Sequence, residues 1–182
     1  DRMQGLLLDT KELATEREVV KEERRLRAED DPQGALVEAL FAQAYLSHPY
    51  HWPVIGWFGD LDAMTLDDLQ RHYDTYYSPN NATLVVVGDI KADSLLPMIK
   101  QLFEPIPRGP EPKLIATMES EQKGERRFLL KRDAQVPFVM MGYRVPNFTS
   151  EDSYALDILD SILSHGKSSR LYQNLVYEQK SS

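Results

Sequence analysis

The first part of the chain carries the apolar spacing of amphipathic helices. Residues 6–29 are rich in Leu, Glu, Lys and Arg and contain neither Gly nor Pro, and their apolar positions recur at helical intervals. Asp9 or Thr10 suits the cap position, because a short polar side chain there accepts a hydrogen bond from a free backbone amide. The pattern predicts one long helix over residues 10–29, a break rich in Asp, Pro and Gly, and a second helix over residues 35–46.

Farther along, helical patterns alternate with apolar, β-branched runs. Thr65, with Asp68 three residues on, is typical of a capping box and predicts a helix to about Tyr76. Residues 82–87 form an apolar, β-branched run closed by Gly and Asp, which is typical of a buried strand. The other predicted elements are strands over residues 126–131 and 137–145 and helices over residues 93–103, 150–163 (with Ser150 as its cap) and 167–180.

A proline-rich segment over residues 105–113 separates two such groups of elements. Proline can stand neither inside a helix nor in a central strand, so this segment is predicted to be a linker. We therefore expect an α+β protein in which residues 1–104 are the C-terminal part of one domain and residues 114–182 the N-terminal part of the next. The second group lacks sheet partners and the chain begins with Asp1, so a fragment of a longer protein is expected.

Composition narrows the classes of function. The chain has 182 residues, of which 42% are hydrophobic and 27% charged, as in ordinary globular proteins. Its 29 acidic and 21 basic residues give a formal charge of −8, which argues against nucleic acid or an anionic membrane as a general partner. No apolar run approaches the roughly 20 residues of a membrane-spanning helix. This composition suits a bacterial periplasm or a cytoplasm equally, so it predicts no location.

The absence of cysteine restricts the chemistry further. A disulfide, a thiolate metal site and a cysteine nucleophile are all excluded, so a metal here needs histidine or carboxylate ligands. On the first predicted helix, Glu16 and Glu23 are seven residues apart and share one face with Val19 and Val20, because seven residues return to within about 20°. Two carboxylates on an apolar stripe require a cation or hydrogen-bond donors. The same spacing also suits an ordinary solvated helix.

The four histidines are weaker candidates. His48 and His51 have the spacing of helix-borne ligands, but flanking prolines keep them from sharing a helical turn, and a packed aromatic loop is the expected structure. His72 lies on an amphipathic helix beside tyrosines, and His165 lies at a predicted helix end, where a positive charge suits the helix dipole. The segment 166–169 lacks the full glycine and lysine pattern of a phosphate-binding loop.

Three stretches, in the expected order, resemble the M16 zinc metallopeptidases (the pitrilysin, insulinase and mitochondrial processing peptidase family). EREVVKEERRLR (16–27) is similar to the family's helix that follows an inverted zinc motif, in which the last Glu of E-x(6)-E is the third ligand. The stretch HPYHWPVIGW through SPNNATLVVVGDI (48–90) and GKSSRLY (166–172) with LVYE (175–178) are similar to later family segments. The family's H-x-x-E-H motif does not occur in this chain.

The resemblance implies a LuxS/MPP-like metallohydrolase fold, a mostly antiparallel sheet with helices on one face. It implies Zn²⁺ held by two upstream histidines and Glu23, with Glu16 supporting a ligating histidine, and a metal-activated water that attacks a peptide bond. The implied substrate is a peptide or unfolded polypeptide enclosed between two similar halves, from one chain or from a homodimer or heterodimer, and paired with a strand edge. With one ligand of three, the isolated chain is predicted to be inactive.

The principal alternative is a family member that has lost catalysis and presents substrate or scaffolds a complex. Keeping both Glu16 and Glu23 favours the active peptidase, because a scaffold has no physical need for two carboxylates on a buried face. A third reading, an unrelated α+β binding module, requires all three similarities to be coincidental.

Overall fold

A computed structural model describes residues 2–180, and its regular elements are helical. The α-helices are α1 (Thr10–Arg24), α2 (Pro32–Ala44), α3 (Phe58–Ala63), α4 (Leu66–Tyr76), α5 (Ala92–Phe103), α6 (Asp152–Leu163) and α7 (Arg170–Tyr172). Two π-helical segments, Arg25–Glu29 and Gln173–Glu178, continue α1 and α7, and short 3₁₀ helices cover Pro49–His51 and Pro79–Asn81. No helix within the described range is long and apolar enough to cross a membrane.

The predicted helix starts are confirmed where a side chain caps the backbone. Asp9 Oδ1 accepts hydrogen bonds from the amides of Lys11 (2.6 Å) and Glu12 (3.3 Å), so α1 begins at Thr10. Thr65 and Asp68 form the predicted capping box, each side chain bonded to the other residue's amide. These contacts lie within one helical turn, which is why the local sequence predicts them.

Other boundaries differ by a few residues. Helix α2 begins at Pro32 instead of residue 35, because proline fits the first helical position and Asp31 accepts hydrogen bonds from the two amides that follow. Helix α6 begins at Asp152, and Ser150 bonds the Asp152 amide at 3.3 Å without being the cap residue. The helix predicted over residues 167–180 begins at Arg170 instead and continues as the π-helical segment Gln173–Glu178.

The predicted sheet is wrong for the described residues. Residues 82–87, 126–131 and 137–145 belong to no helix and pair in no strand between residues 2 and 180. Val85 and Val87 are 75% and 91% exposed, so the apolar run that predicted a buried strand lies open. A strand needs a neighbouring strand to pair with its backbone amides and carbonyls. An apolar pattern shows that a segment can be buried, but it does not identify such a neighbour. A mostly antiparallel sheet is therefore not the fold seen here.

The chain divides into two compact units between Met140 and Met141. In the first unit, a group of buried residues lies where α1, its π-helical segment, α2 and α3 meet, namely Arg24, Ala28, Ala35 and Leu61. The second unit contains α6 and α7, with Ser169 buried at 2% exposure and capping α7. The predicted domain division at residues 105–113 stays a prediction.

Residues 114–132, here called the strap, are tied to the helices of the first unit by charged side chains. Arg126 donates to the carbonyls of Gln43 and Ala44 at the end of α2, and Arg132 donates to those of Ala28 and Glu29 at the end of the π-helical segment. Cations stabilise the carbonyl end of a helix, because the last carbonyls lack internal partners. The strap therefore completes two helix ends from a distant part of the sequence.

A third contact between the strap and the first unit's helical region is made by the carboxylate of Glu119. Glu119 accepts hydrogen bonds from three successive amides, those of Leu46 (2.9 Å), Ser47 (2.7 Å) and His48 (2.8 Å), and from the Ser47 hydroxyl (3.1 Å). These donors favour the charged form, so the amides of Leu46 and His48 above all hold the pKa of Glu119 far below its usual range. The carboxylate fixes the strap to the segment between α2 and the first 3₁₀ helix.

Replacing Glu119 by glutamine is expected to make the thermal stability of the protein less dependent on pH. A folded-state pKa below the ordinary value of about 4.3 means that the contact stabilises the fold fully above that value and loses this effect as pH falls through the lower folded pKa. From pH 8 to pH 5 the thermal midpoint of the natural protein should exceed that of Glu119→Gln by a constant amount, and this difference should narrow as the pH falls from about 4 to 3.

The matched control for this comparison is Glu121→Gln, two residues along the strap and exposed. Its thermal midpoints should follow those of the natural protein at every pH. A constant gap between the natural protein and Glu119→Gln down to pH 3 would show that the contact does not depend on the carboxylate charge.

Candidate metal-ligand helix

The core-facing stripe of α1 contains two arginines. Leu13, Arg17, Val20 and Arg24 recur at helical spacing, and all four are at least half-buried. Arg17 Nη2 donates to the Met64 carbonyl at 2.5 Å, which satisfies part of its guanidinium. The stripe joins α1 to the neighbouring helices through polar as well as apolar contacts.

Arg24 is the most completely enclosed charge in this part of the fold, with 2% of the residue exposed. Its guanidinium forms a two-pronged ion pair with Glu38 on α2, with both N–O distances 3.0 Å, and donates to the Gly56 carbonyl at 2.8 Å. The rings of Trp57 and Phe58 lie 5.1 and 5.2 Å from its central carbon, within the range of cation–π attraction. Arg24 thus connects α1, α2 and the segment that leads into α3.

The predicted metal ligand, Glu23, immediately precedes Arg24. Its side chain is 42% exposed, and Arg27 Nη2 lies 2.7 Å from its Oε1 atom. This i,i+4 pair is largely solvated, because the Arg27 side chain is 73% exposed. Glu23 therefore presents a carboxylate near the surface, with a guanidinium bound to one of its oxygens.

Glu16 lies two turns earlier and has a different environment. It lines an open, mainly apolar groove of about 430 Å³. Glu23 does not line this groove, so the structure places the two carboxylates on one helix without bringing them into one cavity. The other lining residues are Leu7, Leu8, Asp9, Glu12, Leu13, Arg17, Val20, Val54, Ile55, Leu61, Met64 and Leu69.

Glu18 and Glu22, also on α1, are exposed and bind neighbouring cations. Glu18 pairs with Lys21 at 3.2 Å and Glu22 with Arg25 at 2.7 Å, both at i,i+3. Lys21 also binds Asp62 at 2.9 Å, and its hydrogen bonds to Asp62 and Glu18 raise its pKa. These pairs are surface contacts, as is the Glu23–Arg27 pair, so Glu23 is distinguished by the E-x(6)-E spacing and not by its ion pair.

The described residues do not hold a metal ion by themselves. No group of three or more His, Cys, Asp or Glu side chains between residues 2 and 180 is arranged for metal binding. Glu23 supplies an oxygen donor of the kind zinc accepts, but a zinc site needs three or four ligands. Glu23 therefore fits zinc as one member of a ligand set and not as a complete site.

Three of the four histidines, His48, His51 and His72, pack against aromatic rings, as their positions predict. His48 Nδ1 accepts the Tyr50 amide at 3.2 Å, and its ring meets that of Tyr50 edge-on at 4.5 Å. His51 lies 4.9 Å from the ring of Trp52, and His72 lies 4.7 Å from that of Tyr76. His48 and His51 contribute to an aromatic loop, and neither belongs to a metal-binding group in the described part of the chain.

The family is established by comparison with known proteins. Residues 63–181 match the model of the peptidase M16 inactive domain. The chain belongs to the M16 peptidase family, as the three sequence similarities predicted. Both Glu16 and Glu23 lie before the matched range, so the word "inactive" in that description does not cover the helix that carries them.

Several relatives have zinc protease names. The chain is 38% identical to the zinc protease PqqE of Helicobacter pylori, over 99% of this chain and 41% of that protein. It is 32% identical to an uncharacterized zinc protease of Mycobacterium tuberculosis, over 90% and 38% of the two chains. A crystal structure of a protease from Helicobacter pylori superposes with a TM-score of 0.82 at 35% identity, over 98% of this chain and 44% of the other. The chain spans less than half the length of these relatives.

Proposed function

We propose that the protein containing this chain is a zinc-dependent metalloendopeptidase in which Glu23 is one of the metal ligands. The observation that carries the proposal is the accessible Glu23 carboxylate on α1, at the position that the E-x(6)-E spacing assigns to a ligand. Membership of the M16 family and the zinc protease names of several relatives support it.

The roles proposed for this chain's own residues are limited to binding and orientation. Bound zinc lowers the pKa of a water molecule and polarises a carbonyl. Glu23 contributes a negatively charged oxygen donor, and Arg27, bound to that carboxylate, restricts its rotation. Glu16, at the rim of the apolar groove, balances the charge of a neighbouring ligand supplied from outside this chain.

The proposed substrate is a peptide or an unfolded polypeptide. An extended peptide is recognised by adding a strand to an open edge, with side-chain pockets giving selectivity. The proposed partner is a second M16 half, supplied by the same polypeptide or by another subunit of a homodimer or heterodimer. The length of the relatives supports this, because the chain covers only 41% of PqqE.

A Glu23→Gln substitution in the full-length protein tests the ligand. Glutamine keeps the shape of the side chain but removes its charge, and we expect zinc affinity to fall at least about tenfold and peptide hydrolysis to be lost. The measurements are zinc content per chain by mass spectrometry and cleavage of an unstructured fluorogenic peptide.

Glu22→Gln is the matched control, because Glu22 is the adjacent, exposed glutamate and binds Arg25. It should keep both zinc and activity. Loss of zinc in Glu22→Gln but not in Glu23→Gln would show that Glu22, and not Glu23, is the ligand. A natural protein that binds no zinc and cleaves nothing would instead identify a non-catalytic partner subunit.

A further inference from the structure

We infer that Arg24 is a positioning residue for the Glu23 carboxylate, an inference that rests on the proposed function. The two residues are adjacent on the last turn of α1, so contacts that fix the rotation of the helix at Arg24 also fix the direction in which the Glu23 side chain leaves the helix. Arg24 is enclosed and Glu23 is accessible. Arg24 is therefore a buried anchor, and Glu23 beside it is an exposed oxygen donor for a metal.

The anchor restrains the helix in several directions. Its two nitrogens bind two oxygens of Glu38, which sets both the distance and the rotation between α1 and α2, because a guanidinium and a carboxylate meet in one plane. The bond to the Gly56 carbonyl and the rings of Trp57 and Phe58 hold the same group from the other side. A single side chain thus locates the end of α1 against two neighbouring segments.

The backbone also changes its pattern at this point. The Arg25 amide donates to the carbonyls of both Lys21 and Glu22, and residues Arg25–Glu29 continue as a π-helical segment. Such segments are rare and occur often at functional sites. Here the segment starts two residues after Glu23 and carries Arg27, which binds the Glu23 carboxylate. The ligand therefore lies between a rigid anchor and a guanidinium partner.

The neighbouring arginines do not share this property. Arg25 and Arg27 pair with glutamates on their own helix, and their side chains are 45% and 73% exposed. Arg25 also lies 5.7 Å from the Phe58 ring, but of these three arginines Arg24 is the one that is buried and forms an ion pair with another helix. Its effect on Glu23 is therefore distinguishable from a general effect of charge. Lysine at this position keeps the charge but loses the planar two-pronged geometry.

The test is the zinc affinity of Arg24→Lys in the full-length protein, measured by competition with a chelator at a temperature where circular dichroism shows it folded. We expect the zinc dissociation constant to rise about tenfold or more, the range found when groups that orient a ligand are changed. The visible spectrum of the Co²⁺-substituted protein should change as well, because it responds to ligand geometry and not to global stability.

Asn80→Ala is the matched control, since Asn80 ties the second 3₁₀ helix to the proline-rich segment through two hydrogen bonds with Gly109, of 2.8 and 3.3 Å. It should lower the thermal midpoint while leaving the zinc dissociation constant and the Co²⁺ spectrum unchanged. The inference is overturned if folded Arg24→Lys binds zinc like the natural protein, or if Asn80→Ala weakens zinc equally. If the natural protein binds zinc but Glu23→Gln also does, the proposed ligand fails first, and the inference fails with it.

Discussion

Replacing Arg24 by methionine is expected to lower the free energy of unfolding by about 3–5 kcal/mol, because removal of one partner leaves a buried charge without compensation. The stranded group is Glu38, whose side chain is only 18% exposed, and the Gly56 carbonyl loses its donor as well. Urea unfolding followed by tryptophan fluorescence reports on this region directly, since the Trp57 ring lies 5.1 Å from the guanidinium carbon.

Two further variants separate burial from charge. Arg127→Met removes an arginine whose side chain is 84% exposed and paired with Glu125, and it should change stability by no more than about 1 kcal/mol. The double variant Arg24→Met, Glu38→Leu should recover most of the loss, because an apolar pair of similar size replaces a buried ion pair without leaving a charge behind. A loss below about 1 kcal/mol for Arg24→Met alone would contradict the enclosed ion pair.

The second large effect is expected for Gly34→Ala. Alanine is the better helix former by about 1 kcal/mol, and Gly34 lies inside α2, so helix propensity alone predicts stabilisation. A Cβ atom at this position would overlap the Arg27 carbonyl oxygen and stand 3.0 Å from its carbonyl carbon. The first turn of α2 must then move away from the π-helical segment, and a net loss of about 2–3 kcal/mol is expected by thermal or urea unfolding.

Gly59→Ala provides the control within the same unit. Gly59 is also helical, in α3, and a Cβ atom there would meet no other group within 4 Å. This substitution should be neutral or stabilising by up to about 1 kcal/mol. Equal gains from both alanine substitutions would show that α2 and the π-helical segment do not approach as closely as the structure indicates.

Local chemistry made the helices predictable. Asp9 and the Thr65–Asp68 capping box act on amides within their own first turns, so spacing along the chain contains the necessary information. The E-x(6)-E spacing likewise places Glu16 and Glu23 on one helix face without reference to other elements. The π-helical segment is different, since residues 25–29 are good helix formers, and no pattern among them indicates the wider turn.

Contacts between distant residues explain what the sequence could not predict. The run 82–87 has strand composition, but pairing depends on a neighbour that the pattern does not specify. Arg24 looks like Arg25 in the sequence, and the available signal is its place on the stripe of Leu13, Arg17 and Val20. Glu119 carries no local signal at all, because its partners are amides more than 70 residues away.

The strap's long reach has an entropic consequence. Its ties join residues between 71 and 104 positions apart, whereas the Arg24–Glu38 pair joins residues 14 apart. Closing the longest of these loops from an unfolded chain costs about 1.8 kcal/mol more than closing the loop between Arg24 and Glu38, because loop-closure entropy grows with the logarithm of loop length. That difference shrinks once α1 and α2 have already assembled. We therefore expect the strap to bind after α1 and α2 have paired, and to secure an arrangement that shorter contacts have created.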